Sequence, residues 1–310
     1  MRIATMATGG IGGFLAVKLT QAGHEVATIA RGPHLQAIQR DGLVLESMAG
    51  REVVQPWMAT NDPSKVGTVD AIIFGVKTGG LDAAAKACVP MVGPHTVVVP
   101  FLNGVEAADR LKKILPPQSV ANGMAQVSTT IAEPGVIRQV GEFNTFTFAE
   151  CDSRPSTRID ALRSAINTAG SNAPETDDIA RDVWTKFVVF SAMSGVTAAA
   201  RCKLGDIRAS AELTGLFQGV MAETAALARA MKIRISDHVT CDMWAFVQGL
   251  PEAMRASTAI DLEQGNPLEI DYISGAVARL SAAAGLDAPL NRTLHAVLSP
   301  YRDGSSLAVN

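Results

Sequence analysis

Up to about Ser171, short apolar runs alternate with segments whose apolar residues recur at helical spacing. The runs Arg2–Ala7, Glu25–Ala30, Leu43–Glu46, Glu52–Trp57, Val69–Val76 and Thr96–Leu102 read as strands, the fourth joined to the third by a turn around Ala49-Gly50. Val120–Ile131, Gly135–Val140 and Asn144–Ala149 read as further strands, with Glu133-Pro134-Gly135 as a turn. Between them Phe14–Thr20, Pro33–Arg40, Leu81–Met91, Val105–Leu115 and Thr157–Ala169 have helical periodicity. Strands alternating with helices predict an α/β fold with a mostly parallel, doubly wound sheet. Beyond Ser171–Asp177, where small and polar residues cluster, strand signals stop. The pattern predicts a helix from Asp178 to about Ala200 and a short one around Ser257–Asp261. A break follows at Gly265-Asn266-Pro267, then a helix from Glu269 to Ala284 and a last one reaching Arg302. The expected division is an α/β domain over 1–174 and an all-helical domain over 175–310.

The first turn carries the most specific signal. Thr8-Gly9-Gly10-Ile11-Gly12-Gly13 lies between the first run and the first helical segment. Phosphate reaches backbone N–H groups closely only where Cβ atoms are absent, and a following helix N-terminus favours negative charge. Gly9 and Gly10 are expected to allow that approach, with Ile11 between them and Gly12, and Gly12 and Gly13 to let the helix sit tight on the strands. The usual spacing is G-x-G-x-x-G, and its first glycine is Ala7 here. Arg31 ends the second run, where an acidic residue would bind a ribose 2′-hydroxyl; an arginine suits a 2′-phosphate. Lys77 and Asn103 follow two more runs, and ligands of such sheets bind beyond the carboxyl ends of the strands.

Composition narrows the classes. The 310 residues are 47% hydrophobic and 18% charged, which predicts a globular chain, and a net charge of −3 without a basic block argues against nucleic acid and anionic membranes as partners. The longest nearly apolar stretch, Phe187–Ala200, is too short to span a bilayer. No cleavable leader is recognisable, because the glycine turn interrupts the first apolar run. Cys88, Cys151, Cys202 and Cys241 are far apart, as expected of reduced thiols in a cytoplasmic protein, and no metal is expected because no cluster has zinc-ligand spacing.

In the helical half, Asp182, Lys186, Phe190 and Ser194 recur every four residues and share one stripe. A lysine on an otherwise apolar helix must find a charge partner, a ligand or water. Pairing with Asp182 or snorkelling to the surface explains Lys186 as well as a catalytic role does. Asn266, Pro267 and Glu269 have the spacing of a capping box, so helix capping is one reading of Glu269.

Taken in order, the glycine turn, A-R-G-x-H-L at 30–35, V-K-T at 76–78, N-G-V-E at 103–106, W-T-K at 184–186 and L-E-I-D-Y-I-S-G at 268–275 resemble the ketopantoate reductase (2-dehydropantoate 2-reductase) family over nearly the whole chain. The resemblance implies an N-terminal Rossmann-like domain, a C-terminal helical domain and an active site between them. It implies NADPH as hydride donor to a 2-oxo acid. By position, Lys186 would be the general acid and Asn103 would contact cofactor and substrate. Ser257 would bind substrate, and Glu269 would lie near the nicotinamide ribose and Lys186. Arg31 and Lys77 would hold the 2′-phosphate end. The family typically has asparagines four, eight and eighteen residues after the lysine; here these are Phe190, Ser194 and Leu204. The expectation is therefore retained hydride chemistry with an altered substrate, bulkier or less polar, in a pocket lined by Phe190 and Leu204. Another two-domain dehydrogenase, of β-hydroxyacids or opines, and a non-catalytic NADPH-binding sensor are the competing readings. The apolar helical domain allows a homodimer.

Overall fold

A computed structural model describes residues 1–304; residues 305–310, the end of the expected helical domain, lie outside the described residues. The chain divides into two compact units, one of Met1–Leu102 with Glu106–Ile179, the other of Asn103–Val105 with Ala180 onward.

The first unit begins β1 (Arg2–Met6), α1 (Gly10–Gln21), β2 (Glu25–Ile29), α2 (Gly32–Asp41), β3 (Leu43–Ser47), β4 (Gly50–Val54) and β5 (Met58–Thr60). It continues with β6 (Val69–Phe74), α3 (Leu81–Cys88), β7 (Val92–Pro100), α4 (Ala107–Lys112), β8 (Ala121–Glu133), β9 (Val136–Glu150) and α5 (Thr157–Thr168). Five strands form an all-parallel sheet in the order β5-β2-β1-β6-β7. The chain builds outward from β1 to β5, returns to the other side of β1, and builds outward again to β7. The reversal at β1 and β6 is the place where such sheets bind ligands. Alternate residues of each strand face opposite cores: Ile3, Ala71, Ile73, Val97 and Val99 lie with α1 and α5, while Ala4, Met6, Ile72, Phe74 and Val98 lie with α3 and α4. Burial on both faces is why these strands read as continuous apolar runs.

The remaining strands form a separate sheet, β4-β3-β9-β8. It covers the far side of α1: Gly13 meets Ile137, and Phe14 stacks on Phe146 at 5.9 Å. Residues 135–140 and 144–149, expected as two strands, are one. Val127 pairs with Asn144 and Thr129 with Gln139, so Val140–Phe143 bulge out opposite Ser128 without ending the strand.

The second unit is helical: α6 (Ile179–Ala199), α7 (Leu204–Ala209), α8 (Ala211–Ala230), α9 (Val239–Gln248), α10 (Ser257–Gln264), α11 (Ser274–Ala283) and α12 (Pro289–Leu298). Its core joins Phe187, Val188 and Ala192 of α6 to Phe217, Val220 and Met221 of α8 and to Val277 and Leu294. Together the two units make an α/β protein with a Rossmann-like sheet and an all-helical C-terminal part. The expected helix from Glu269 is corrected. Residues 266–269 form no regular element, a 3₁₀ turn spans Ile270–Tyr272, and α11 starts at Ser274. Asn266 does not cap forward; its side chain donates back to Asp261 and Gln264 at the end of α10. Leu268 and Ile270 are buried beside Leu298, and the Leu268 amide donates to the Arg302 carbonyl. Tertiary burial thus replaces the local cap.

Candidate functional site

In the first unit, Ala7 stands where the fingerprint has its first glycine, and it adopts the left-handed conformation a glycine would supply, with φ 59°. That costs an alanine about 1–2 kcal/mol, so neighbours must hold it. The Gly9 amide donates to the Ala7 carbonyl at 2.8 Å and the Thr8 amide to the Ile29 carbonyl at 2.8 Å. The Thr8 hydroxyl lies 2.9 Å from that of Thr5.

Three of the four glycines are tight for protein reasons. A Cβ at Gly10 would lie 2.5 Å from the Thr129 carbonyl oxygen, at Gly12 2.8 Å from that of Ala7, and at Gly13 2.5 Å from the Ile137 side chain. Gly9 alone has room, its nearest neighbour being the Gly75 carbonyl oxygen at 3.6 Å. The expected pairing of Gly9 with Gly10 is thereby sharpened: Gly10 admits β8, and Gly9 is the open position. Ile11 follows in the first turn of α1, partly buried. Gly9 is the N-cap of α1, and neither a side-chain cap nor an acidic residue occupies that first turn. Its amides therefore present an uncompensated positive helix end.

Arg31 is exposed at the N-cap of α2, two residues beyond β2. Lys77 is exposed three residues beyond β6. Sequence reasoning passed over Gly75. A Cβ there would sit 2.8 Å from the Gly12 amide, so Gly75 sets how closely the end of β6 meets α1. A glycine closing an apolar strand was the available signal.

In the second unit, Lys186 of α6 donates to the Asn103 Oδ1 at 3.3 Å. Asn103 is held in turn by its neighbour: Gly104 has φ 94°, and a Cβ on it would meet the Tyr272 carbonyl oxygen at 2.9 Å. The Lys186 ammonium lies over the Phe190 ring, 5.4 Å from its centroid. Burial draws its pKa down to about 8, and the Glu269 carboxylate pulls the other way. Asn103, Phe190 and Glu269 thus act on the Lys186 ammonium, which can give up a proton near neutral pH.

Ser194 is buried, and its hydroxyl lies 2.6 Å from that of Thr258, the residue after Ser257. Ser257 itself is exposed in the first turn of α10. Leu204 is corrected: it is fully buried in the helical core and lines no pocket. No group of three or more His, Cys, Asp or Glu among the described residues could hold a metal ion, and no described helix is long and apolar enough to cross a membrane.

The chain as a whole is similar to known proteins. A family model described as ketopantoate reductase PanE/ApbA matches residues 3–153, and one for the C-terminal part of the same family matches 178–302. The 2-dehydropantoate 2-reductase of Mesorhizobium japonicum is 30% identical over 325 residues, spanning 97% of each chain. The crystal structure of a PanE/ApbA family ketopantoate reductase from Ralstonia eutropha matches with a TM-score of 0.89 and 31% identity, over 97% of this chain and 98% of that one. D-mandelate dehydrogenase with NADH and anilino(oxo)acetate shares the fold, with a TM-score of 0.88 at 22% identity over 97% of this chain and 98% of its own. Both halves being matched in order, the chain belongs to the ketopantoate reductase PanE/ApbA family and is a pyridine-nucleotide-dependent oxidoreductase.

Proposed function

We propose that this protein reduces a 2-oxo acid to the corresponding 2-hydroxy acid, with NADPH as hydride donor and Lys186 as proton donor. The observation that carries this reading is the Lys186 ammonium, bonded to Asn103, faced by Glu269 and drawn down to about 8. Such an ammonium stabilises negative charge growing on a carbonyl oxygen and then protonates it. The name of the Mesorhizobium japonicum relative, 2-dehydropantoate 2-reductase, supports the substrate class.

The residues of the first unit fit a phosphorylated dinucleotide. Gly9 leaves room at the uncapped N-terminus of α1, which suits a pyrophosphate. Arg31 and Lys77 supply cations beyond β2 and β6, which suits a 2′-phosphate. NADPH supplies the hydride when bound. In the second unit, Asn103 orients the Lys186 ammonium by accepting from it at its side-chain oxygen. Glu269 favours the charged form of Lys186 before transfer. Ser257, exposed at the start of α10, provides a hydroxyl for the substrate carboxylate or hydroxyl.

The substrate in this reading is bulkier or less polar than ketopantoate. Phe190 presents a ring to the ammonium at one position where the family's usual residue is an amide, and Ser194 shares its hydroxyl with Thr258 at another. A site with fewer polar donors gives up discrimination in favour of a polar substrate. NADPH oxidation followed over a panel of 2-oxo acids tests both parts. Turnover is expected, with a kcat/KM for ketopantoate below that for apolar 2-oxo acids of similar or larger size. Ketopantoate as the best of the panel would refute the substrate assignment. NADPH binding without turnover of any member would instead identify a sensor.

A further inference from the structure

His34 lies on α2, three residues after Arg31, and its ring bridges two backbones. Its Nε2 lies 2.8 Å from the Thr8 carbonyl oxygen, and its Nδ1 is 2.9 Å from the Gly135 amide nitrogen. The Gly135 amide can only donate, so Nδ1 is the acceptor. Nε2 therefore carries the hydrogen and donates to Thr8. The ring is neutral in this arrangement. Burial holds it below its ordinary range, against the opposite pull of the Thr8 carbonyl.

What the ring grips is informative. Thr8 is buried in the glycine turn, between strained Ala7 and open Gly9. The peptide joining Thr8 to Gly9 is bonded at both ends: its carbonyl receives His34, and its amide donates to Ala7. With both ends held, that peptide has one orientation, and it leads directly into the N-terminus of α1. At its other edge the ring receives Gly135, whose own carbonyl accepts the Val44 amide at 2.9 Å. Gly135 has φ 80°, and a Cβ there would lie 2.9 Å from the Ala37 Cβ, so the β8–β9 turn is seated against α2. One imidazole thus fixes α2, whose N-cap is Arg31, against the glycine turn and the second sheet.

We propose that His34 is a positioning residue for the dinucleotide: it locks the Thr8–Gly9 peptide and sets the spacing between the pyrophosphate-binding turn and the Arg31 end of α2. This rests on the reading of the first unit as an NADPH site. His34 has no part in the chemical step, so its loss should act on cofactor affinity alone.

The test measures NADPH binding by fluorescence titration, and steady-state kinetics, for the wild type, Arg31→Glu, His34→Ala and His34→Gln. His34→Ala should raise the Kd and KM for NADPH about tenfold, the usual effect of losing one or two backbone-directed hydrogen bonds. Its kcat at saturating NADPH and its KM for the 2-oxo acid should stay within about twofold. His34→Gln, which can still donate to Thr8, should recover most of the affinity. An unchanged Kd in a folded His34→Ala, or equal losses in kcat and in cofactor affinity, would overturn the proposal and leave the NADPH site standing. A wild type that does not bind NADPH would remove the site itself and the proposal with it. Should His34→Ala fail to fold, the imidazole ¹⁵N resonances of the wild type decide. They should show the neutral Nε2–H form and move on titration with NADPH; a ring that ignores the cofactor overturns the proposal.

Discussion

An ammonium drawn down to about 8 by burial is protonated through most of the neutral range and yields its proton more readily than a surface lysine. If Lys186 is the acid, kcat for reduction should be level below pH ~8 and fall roughly tenfold per unit above it, while oxidation of the 2-hydroxy acid should rise over the same interval. A pH–rate profile in both directions checks this, and a profile flat through pH 8 removes Lys186 from proton transfer. Lys186→Ala should lower kcat by ~10²-fold or more with NADPH affinity nearly intact; a matching loss of cofactor binding would show that its role is structural. Stability runs in a defined direction too. The fold holds the pKa of Lys186 below the ordinary 10.5, so between about 8 and 10.5 the unfolded chain binds the extra proton. The contribution of this group therefore improves as pH rises through that window, and its burial penalty is fully present below it. Ala7 shows the opposite balance: it carries a strained φ, with its carbonyl accepting the Gly9 amide.

Helix α6 carries the candidate site stripe because its four-residue spacing puts Asp182, Lys186, Phe190 and Ser194 on one side. That much was legible from spacing. The partners along the stripe were not. Lys186 meets Asn103, far away in sequence, Asp182 pairs with Arg181 at 3.2 Å, and Ser194 meets Thr258. The stripe also locates a substitution that should move specificity. Phe190→Asn puts an amide where the ring faces the ammonium, and the ratio of kcat/KM for ketopantoate over an apolar 2-oxo acid should rise by about tenfold. An unchanged ratio would mean that Phe190 does not face the substrate. The segment after α10 teaches the reverse lesson. Asn266, Pro267 and Glu269 have cap spacing, yet Leu268 and Ile270 are buried beside Leu298 there, and the helix waits until Ser274.

At the scale of the whole molecule, a ligand that binds only the native state stabilises it by mass action, about 2.7 kcal/mol at a hundredfold excess over its Kd. If the first unit selects a 2′-phosphate, NADPH should therefore raise the melting temperature more than NADH at equal concentration. Arg31→Glu should erase that difference while leaving the effect of NADH nearly unchanged. Thermal shift assays with the two nucleotides check it, and equal losses for both would take Arg31 out of the 2′-phosphate site. Local pattern alone determined the alternation of strands and helices, the helical second half, the glycine turn and the cations beyond the strand ends. Those features depend on period and on residues near in sequence. Tertiary structure decided the rest. It separated β3, β4, β8 and β9 into their own sheet, because pairing partners are chosen by long-range register. It placed Leu204 in the core instead of a pocket. It also gave Gly10, Gly12, Gly13 and Gly75 their close contacts and His34 its two backbone partners, because which atoms meet across 100 residues of chain is settled only when both sheets close around α1.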